Sequence, residues 1–202
     1  MSISLSVRVS GTVELDKGCH LIGDSLREVL DLSFVPQIYT QEFTIRPRAS
    51  GEAFEDGILV RDEWVRAWVP LGSQCLIPDD RSLGFCIRGE PELVSVLTIE
   101  GEPGYRSIEE PTTFLLINVV GDRTPLELAL AAAVAHGFSR EFGTDVIDDW
   151  PFFSDIFDQS ANSFLNSVKI RGPFDDYRVA ADLFRRQIDE RFSRREAPCR
   201  EA

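Results

Sequence analysis

The sequence predicts an α+β fold: a mostly antiparallel sheet with a strand–helix–strand unit and late helices packed on one face. Three observations lead there. Short apolar or alternating runs dominate before residue 120, and helical periodicity dominates after it. Between them, Thr113 to Trp150 reads as a strand, a small-residue helix and a second strand. Late helices need a sheet to cover, so residues 1–202 are expected to form a single domain. The acidic, Gly- and Pro-containing Glu102 to Pro111 connection would divide any lobes at 1–101 and 112–196.

Ser2 to Val9 alternates, with Ile3, Leu5, Val7 and Val9 opposite Ser4, Ser6 and Arg8. That is the pattern of a half-buried strand. Gly18-Cys19-His20 reads as a turn, followed by a short helix over Leu21 to Leu32 with Ile22, Leu26, Val29 and Leu30 on one face. Phe34 to Ile45, entered through Pro36, is the second strand region. Ile58 to Val69 is the third, with Trp64, Arg66 and Trp68 on one side. Leu83 to Arg88 and Leu93 to Glu100 are short strands around the Gly89-Glu90-Pro91 turn.

Thr113 to Val120 is an apolar, β-rich run, too short for a lone buried helix. Gly121 to Arg123 is a turn. Thr124, Pro125 and Glu127 then supply an N-cap, a first-turn proline and a capping-box glutamate. The helix stops at Gly143, a left-handed C-terminal residue. Its alanines (Ala129, Ala131, Ala132, Ala133 and Ala135) suit close packing on a sheet and offer no chemistry. Asp145 to Asp148 is a short strand, from which Asp149-Trp150-Pro151 breaks away. Phe153 to Val168 reads as a shorter helix with Ile156, Phe157, Phe164 and Leu165 apolar. A final helix from near Phe174 repeats Tyr177, Ala181, Phe184, Ile188 and Phe192 at spacings of three and four, with Asp182/Arg186 and Glu190/Arg194 as i to i+4 pairs.

Thirty-four Asp and Glu against 21 Lys and Arg leave a net charge of −13. From Arg171 onward eight basic residues face seven acidic ones, a net of +1, so the first 170 residues carry −14. Such a field repels nucleic acid and anionic membrane and attracts a basic partner. It also keeps a soluble protein in solution. No apolar stretch approaches the roughly 20 residues that cross a bilayer. Met1 to Arg8 lacks a leader pattern, so a cytoplasmic location is expected. Cys19, Cys75, Cys86 and Cys199 are far apart, which favours free thiols and offers no clustered zinc ligands. No phosphate loop, dinucleotide fingerprint or kinase set is present, and no cofactor is expected.

Gly23-Asp24-Ser25-Leu26 resembles the nucleophile block of GDSL-type esterases. The resemblance implies a serine nucleophile at Ser25 and a base from an Asp-x-x-His pair near the C-terminus. His136, the sole histidine downstream, has Ala133 three residues before it, so that pair is missing. A helix cap at Asp24 or Ser25 explains the same residues. Cys19 and His20 are adjacent and point apart as turn residues do. His20 and Asp24 could begin a metal site, yet no third ligand announces itself. His136, inside the alanine-rich helix, is expected to be a core or partly exposed histidine, not a catalyst. Asp145, Asp148, Asp149, Asp155 and Asp158, with Trp150, lie just past a strand end, where ligands often bind. Their spacing matches no calcium loop, which leaves a capping, solvated role or partner binding. Trp64 and Trp68 would form either a recognition surface or a buried sheet face.

In size, acidity, lack of catalytic residues, and an alanine-rich helix ending at Gly143 before the acidic Asp145 to Asp148 strand, the chain resembles bacterial immunity proteins of toxin–immunity systems. The resemblance implies a non-catalytic protein that binds a basic toxin and masks its active site. A GDSL-like hydrolase using Ser25 and a regulatory or scaffold homodimer are the alternatives.

Overall fold

The computed structural model describes residues 3–9, 13, 15–44, 81–101, 112–119, 123–148, 152–154 and 156–196. In chain order these form β1 (Ile3–Val9), α1 (Leu15–Leu30), β2 (Ile38–Thr44), β3 (Arg81–Ile87) and β4 (Leu93–Gly101). Then follow β5 (Thr112–Val119), α2 (Pro125–Phe142), β6 (Asp145–Asp148), β7 (Asp158–Ser160), α3 (Ala161–Val168) and α4 (Tyr177–Glu196). The strands pair as one seven-stranded sheet in the order β2-β3-β4-β5-β1-β6-β7, with every neighbouring pair antiparallel. The fold class is α+β.

β1 lies between the two strands of the strand–helix–strand unit, pairing with β5 through Leu5↔Ile117 and with β6 through Val7↔Val146. Being antiparallel to both, it makes β5 and β6 parallel, and α2 must cross over it. β4 also pairs with β5, so the sheet runs on across the 102–111 connection. The side-chain alternation then sets the faces. Leu5, Val7, Phe85, Val94, Val96, Ile117 and Val146 enter the main core beneath the helices. Ser6 is buried as well, although alternation marks it for solvent; on the opposite face it sits between Leu116 and Ile147 in register.

α2 is the centre of the core, with every residue from Leu126 to Ser139 buried. It packs on β1, β4, β5 and β6, and against α1, α3 and α4. A helix covered on all sides cannot be amphipathic, and small residues let its neighbours come close. Its ends follow local rules. Thr124 Oγ1 accepts from the Glu127 amide at 3.2 Å, and Glu127 Oε2 accepts from the Thr124 amide at 2.8 Å, closing the capping box. Gly143 ends the helix at φ 64°.

Three expectations are corrected. Gly18-Cys19-His20 is helical, because α1 starts at Leu15. A Cβ at Gly18 would stand 3.4 Å from Phe138 Cζ, so this turn of α1 rests directly on α2, and packing overrides glycine's poor helix propensity. The second strand begins at Ile38, not Phe34, since residues 31–33 pair elsewhere: Leu32 bridges Phe174, and Ser33 N donates to Phe174 O at 2.9 Å. The helix drawn from Phe153 begins at Ala161, capped by Ser160; residues 152–154, 156 and 157 are non-helical and 158–160 form the strand β7. The last helix starts at Tyr177, and along it Arg185 pairs with Asp189 at 2.8 Å; the side chain of Arg194 lies outside the description. The expected Trp64, Arg66 and Trp68 strand, and the Gly121-Asp122 part of the turn before Thr124, lie outside the described residues.

Candidate functional site

Of the acidic group past the β6 strand, Asp145 and Asp158 are exposed, at the start of β6 and the start of β7. Asp148 is fully buried. Asp149, Trp150 and Asp155 lie outside the described residues. The structure thus brings Asp145 and Asp158 to the surface of one hairpin and assigns Asp148 a different task.

Asp148 organises the loop between β6 and β7. Its Oδ2 accepts from the amides of Phe153 at 2.7 Å and Ser154 at 3.3 Å, and its own amide donates to Phe157 O at 2.8 Å. The buried Ser154 hydroxyl donates to Ile156 O at 2.9 Å and accepts from Ile156 N at 3.0 Å. Gln159, also buried, reaches back with Nε2 to Ser154 Oγ and to Ile156 O, the latter at 3.1 Å. These bonds tie the described residues of the loop together, while the buried Gln159 Oε1 has no hydrogen-bond partner among the described residues. Phe153 secures the underside, with ring centroids 6.4 Å from both Phe164 and Phe184, while Arg191 Nη1 donates to Phe153 O at 3.0 Å.

Where this loop enters β7 it is apolar and exposed: Ile156 retains 53% of its surface and Phe157 48%. Sequence reasoning missed both, because the apolar spacing Ile156, Phe157, Phe164, Leu165 imitates a helix. The overlooked signal was local: Pro151, Ser154 and the flanking aspartates disfavour a helix interior. Ser154 and Gln159 could not have been singled out, since nothing in their spacing shows that they meet.

The other candidates resolve into packing. Ser25 lies on α1 against α2, with no exposed surface, and its hydroxyl has no hydrogen-bond partner among the described residues. The chain also approaches Gly23 closely: a Cβ there would stand 2.8 Å from Pro36 O. The Gly-Asp-Ser-Leu block therefore sits in a helix wedged between a loop and another helix. His136 is wholly buried, and neither ring nitrogen has a partner among the described residues. Burial first, then the neighbouring Arg140, lowers its pKa to about 4, so it stays neutral near pH 7. Burial pushes the free Cys86 thiol up to about 11, which leaves it unreactive at neutral pH. Among the described residues no three His, Cys, Asp or Glu side chains group as a metal site, His20 and Asp24 included. No described helix is long and apolar enough to cross a membrane.

No family model, curated protein or solved structure matches the chain.

Proposed function

We propose that the protein is a non-catalytic acidic binding protein of the immunity type, acting in the cytoplasm, which neutralises a basic toxin by binding and masking it. One observation carries this reading. In a chain of net charge −13, buried hydrogen bonds hold the backbone of two exposed apolar residues, Ile156 and Phe157, in a hairpin that also exposes Asp145 and Asp158. An apolar centre with a charged rim is the anatomy of a protein–protein interface. Preformed geometry reduces the ordering cost of association, and the acidic field speeds the approach of a basic partner. A hydrolase built on Ser25 has no comparable support, because a nucleophile with no exposed surface meets no substrate.

The test is co-expression with the products of adjacent genes. The expected outcome is a stoichiometric complex that weakens with salt, and rescue of cells from a growth-inhibiting neighbour. Failure to rescue or bind any neighbouring product, together with a stable homodimer by light scattering, would favour the scaffold alternative.

A further inference from the structure

We infer that the outer stripe of α4, centred on Val179 and Leu183, is a self-association surface whose occupant is the antiparallel α4 of a second copy of this chain. The inference does not rest on the binding reading above, and a dimer formed this way is compatible with it.

α4 turns Ala180, Ala181, Phe184 and Ile188 into the core and packs on α2. Its other side carries Val179 at 52% exposure and Leu183 at 37%, one helical turn apart on a common face. Arg186 follows three residues beyond Leu183. Asp175 and Asp176 stand just before the first turn, Asp175 four residues ahead of Val179. The stripe is therefore acidic at its N-terminal end, apolar in the middle and basic at its C-terminal end.

Arg186 is the cation left over. Of the α4 arginines whose side chains are described, Arg178 bonds Glu90, Arg185 bonds Asp189 and Arg123 O, and Arg191 donates to Phe153 O. Arg186 is exposed and has no hydrogen bond or ion pair among the described residues, Asp182 included. Asp175 and Asp176 are exposed as well. Asp175 accepts from the Ser33 hydroxyl and Asp176 from the Arg178 and Val179 amides, neutral donors that leave both negative charges in place.

Charge selects a second copy. A uniformly basic partner would meet Arg186, and a uniformly acidic one would meet Asp175 and Asp176. A stripe acidic at one end and basic at the other complements itself when reversed, which is an isologous, two-fold contact. With the axis level with Ala181, Val179 faces Leu183 of the second copy, and Arg186 faces Asp176 of the second copy with Asp175 beside it. Each contact is made twice. Like charge opposes self-association over most of this chain, whose first 170 residues carry −14. From Arg171 onward the net is +1, and the stripe lies in that balanced segment. A single helix face is a small interface, so the dimer is weak, with a Kd of roughly micromolar or above.

Sedimentation velocity on the full chain from roughly 1 μM to 1 mM tests this, and circular dichroism verifies that each variant is folded. Expected is a concentration-dependent monomer–dimer equilibrium. Leu183→Asp should weaken it by roughly tenfold or more, and Arg186→Glu by a similar factor. Asp175→Asn/Asp176→Asn, in which asparagine keeps the helix cap, should weaken it too. The antiparallel pairing has its own signature. Arg186→Glu mixed with Asp175→Lys/Asp176→Lys should form a heterodimer although neither variant dimerises alone, because opposite charges then meet at both ends. A wild-type chain monomeric throughout that range would overturn the inference. A dimer that tolerates Leu183→Asp would also overturn it, by placing the contact on another face. Folded charge variants that fail to recombine would overturn the antiparallel pairing.

Discussion

Ser25 on α1 and Gly137 on α2 meet so closely that a Cβ at position 137 would lie 3.0 Å from the serine hydroxyl oxygen, 3.1 Å from the Leu21 carbonyl oxygen. This contact explains why the central helix carries a glycine amid its alanines, and why the residue at 25 is small. It also places Ser25 where packing, not chemistry, decides its identity.

Gly137→Ala should destabilise the fold by about 1–3 kcal/mol, the usual cost of overpacking. Ser25→Ala removes a buried hydroxyl that has no hydrogen-bond partner among the described residues and should be neutral or mildly stabilising. The double variant should regain part of the loss, since the Leu21 carbonyl is backbone and cannot step aside. Urea unfolding of the three variants measures this. A Gly137→Ala protein as stable as wild type would refute the close approach.

Acid should weaken the fold through His136. Its folded pKa, about 4, lies below the ordinary 6.5, so between those values the unfolded chain binds the proton more readily. The stability is complete above about pH 6.5 and declines as pH falls toward 4, by up to about 3 kcal/mol. Because carboxylates also titrate there, the reading is the difference between wild type and His136→Leu across that range. Parallel curves for the two proteins would show that His136 is not held neutral.

Asp148→Ala should loosen the β6–β7 connection. The amides of Phe153 and Ser154 lose their acceptor, at a cost of about 1–3 kcal/mol for groups left buried. Hydrogen exchange should accelerate at residues 153–157 and remain slow in α2. Unchanged exchange at Phe153 would show that the carboxylate does not hold the loop.

Glu90→Ala should release the start of α4. The buried Glu90 carboxylate accepts from Tyr177 Oη and from Arg178 Nε and Nη2, which ties the β3–β4 turn to the first turn of that helix. Hydrogen bonding to Glu90 raises the Tyr177 phenol above its ordinary value, so its ultraviolet titration should move to lower pH in the variant. A titration identical to wild type would sink this assignment.

Legibility followed the range of the contact. The Gly89 turn at φ 84°, between β3 and β4, could be read from neighbouring residues. The Phe153 to Val168 stretch could not. Its apolar spacing fits a helix, yet Asp148 and Gln159 hydrogen-bond Phe153 and Ile156 in a non-helical arrangement. Likewise, Phe174 captures Leu32 and Ser33 and delays β2 to Ile38, a competition between segments that lie far apart in the chain. The site was half legible: Asp145 and Asp158 stood out by charge, whereas Ile156 and Phe157 resembled core residues.

By itself the sequence determined the acidic charge, the α+β class, the strand–helix–strand unit and the α2 ends at Thr124 and Gly143, because these depend on composition and on bonds within a turn. Tertiary structure alone decided that β1 enters between β5 and β6, that Ser25 is sealed against Gly137, and that Ile156 and Phe157 face outward. Each of those outcomes is a choice among partners of similar local preference. Burial of apolar surface and satisfaction of buried polar groups across the whole chain make that choice.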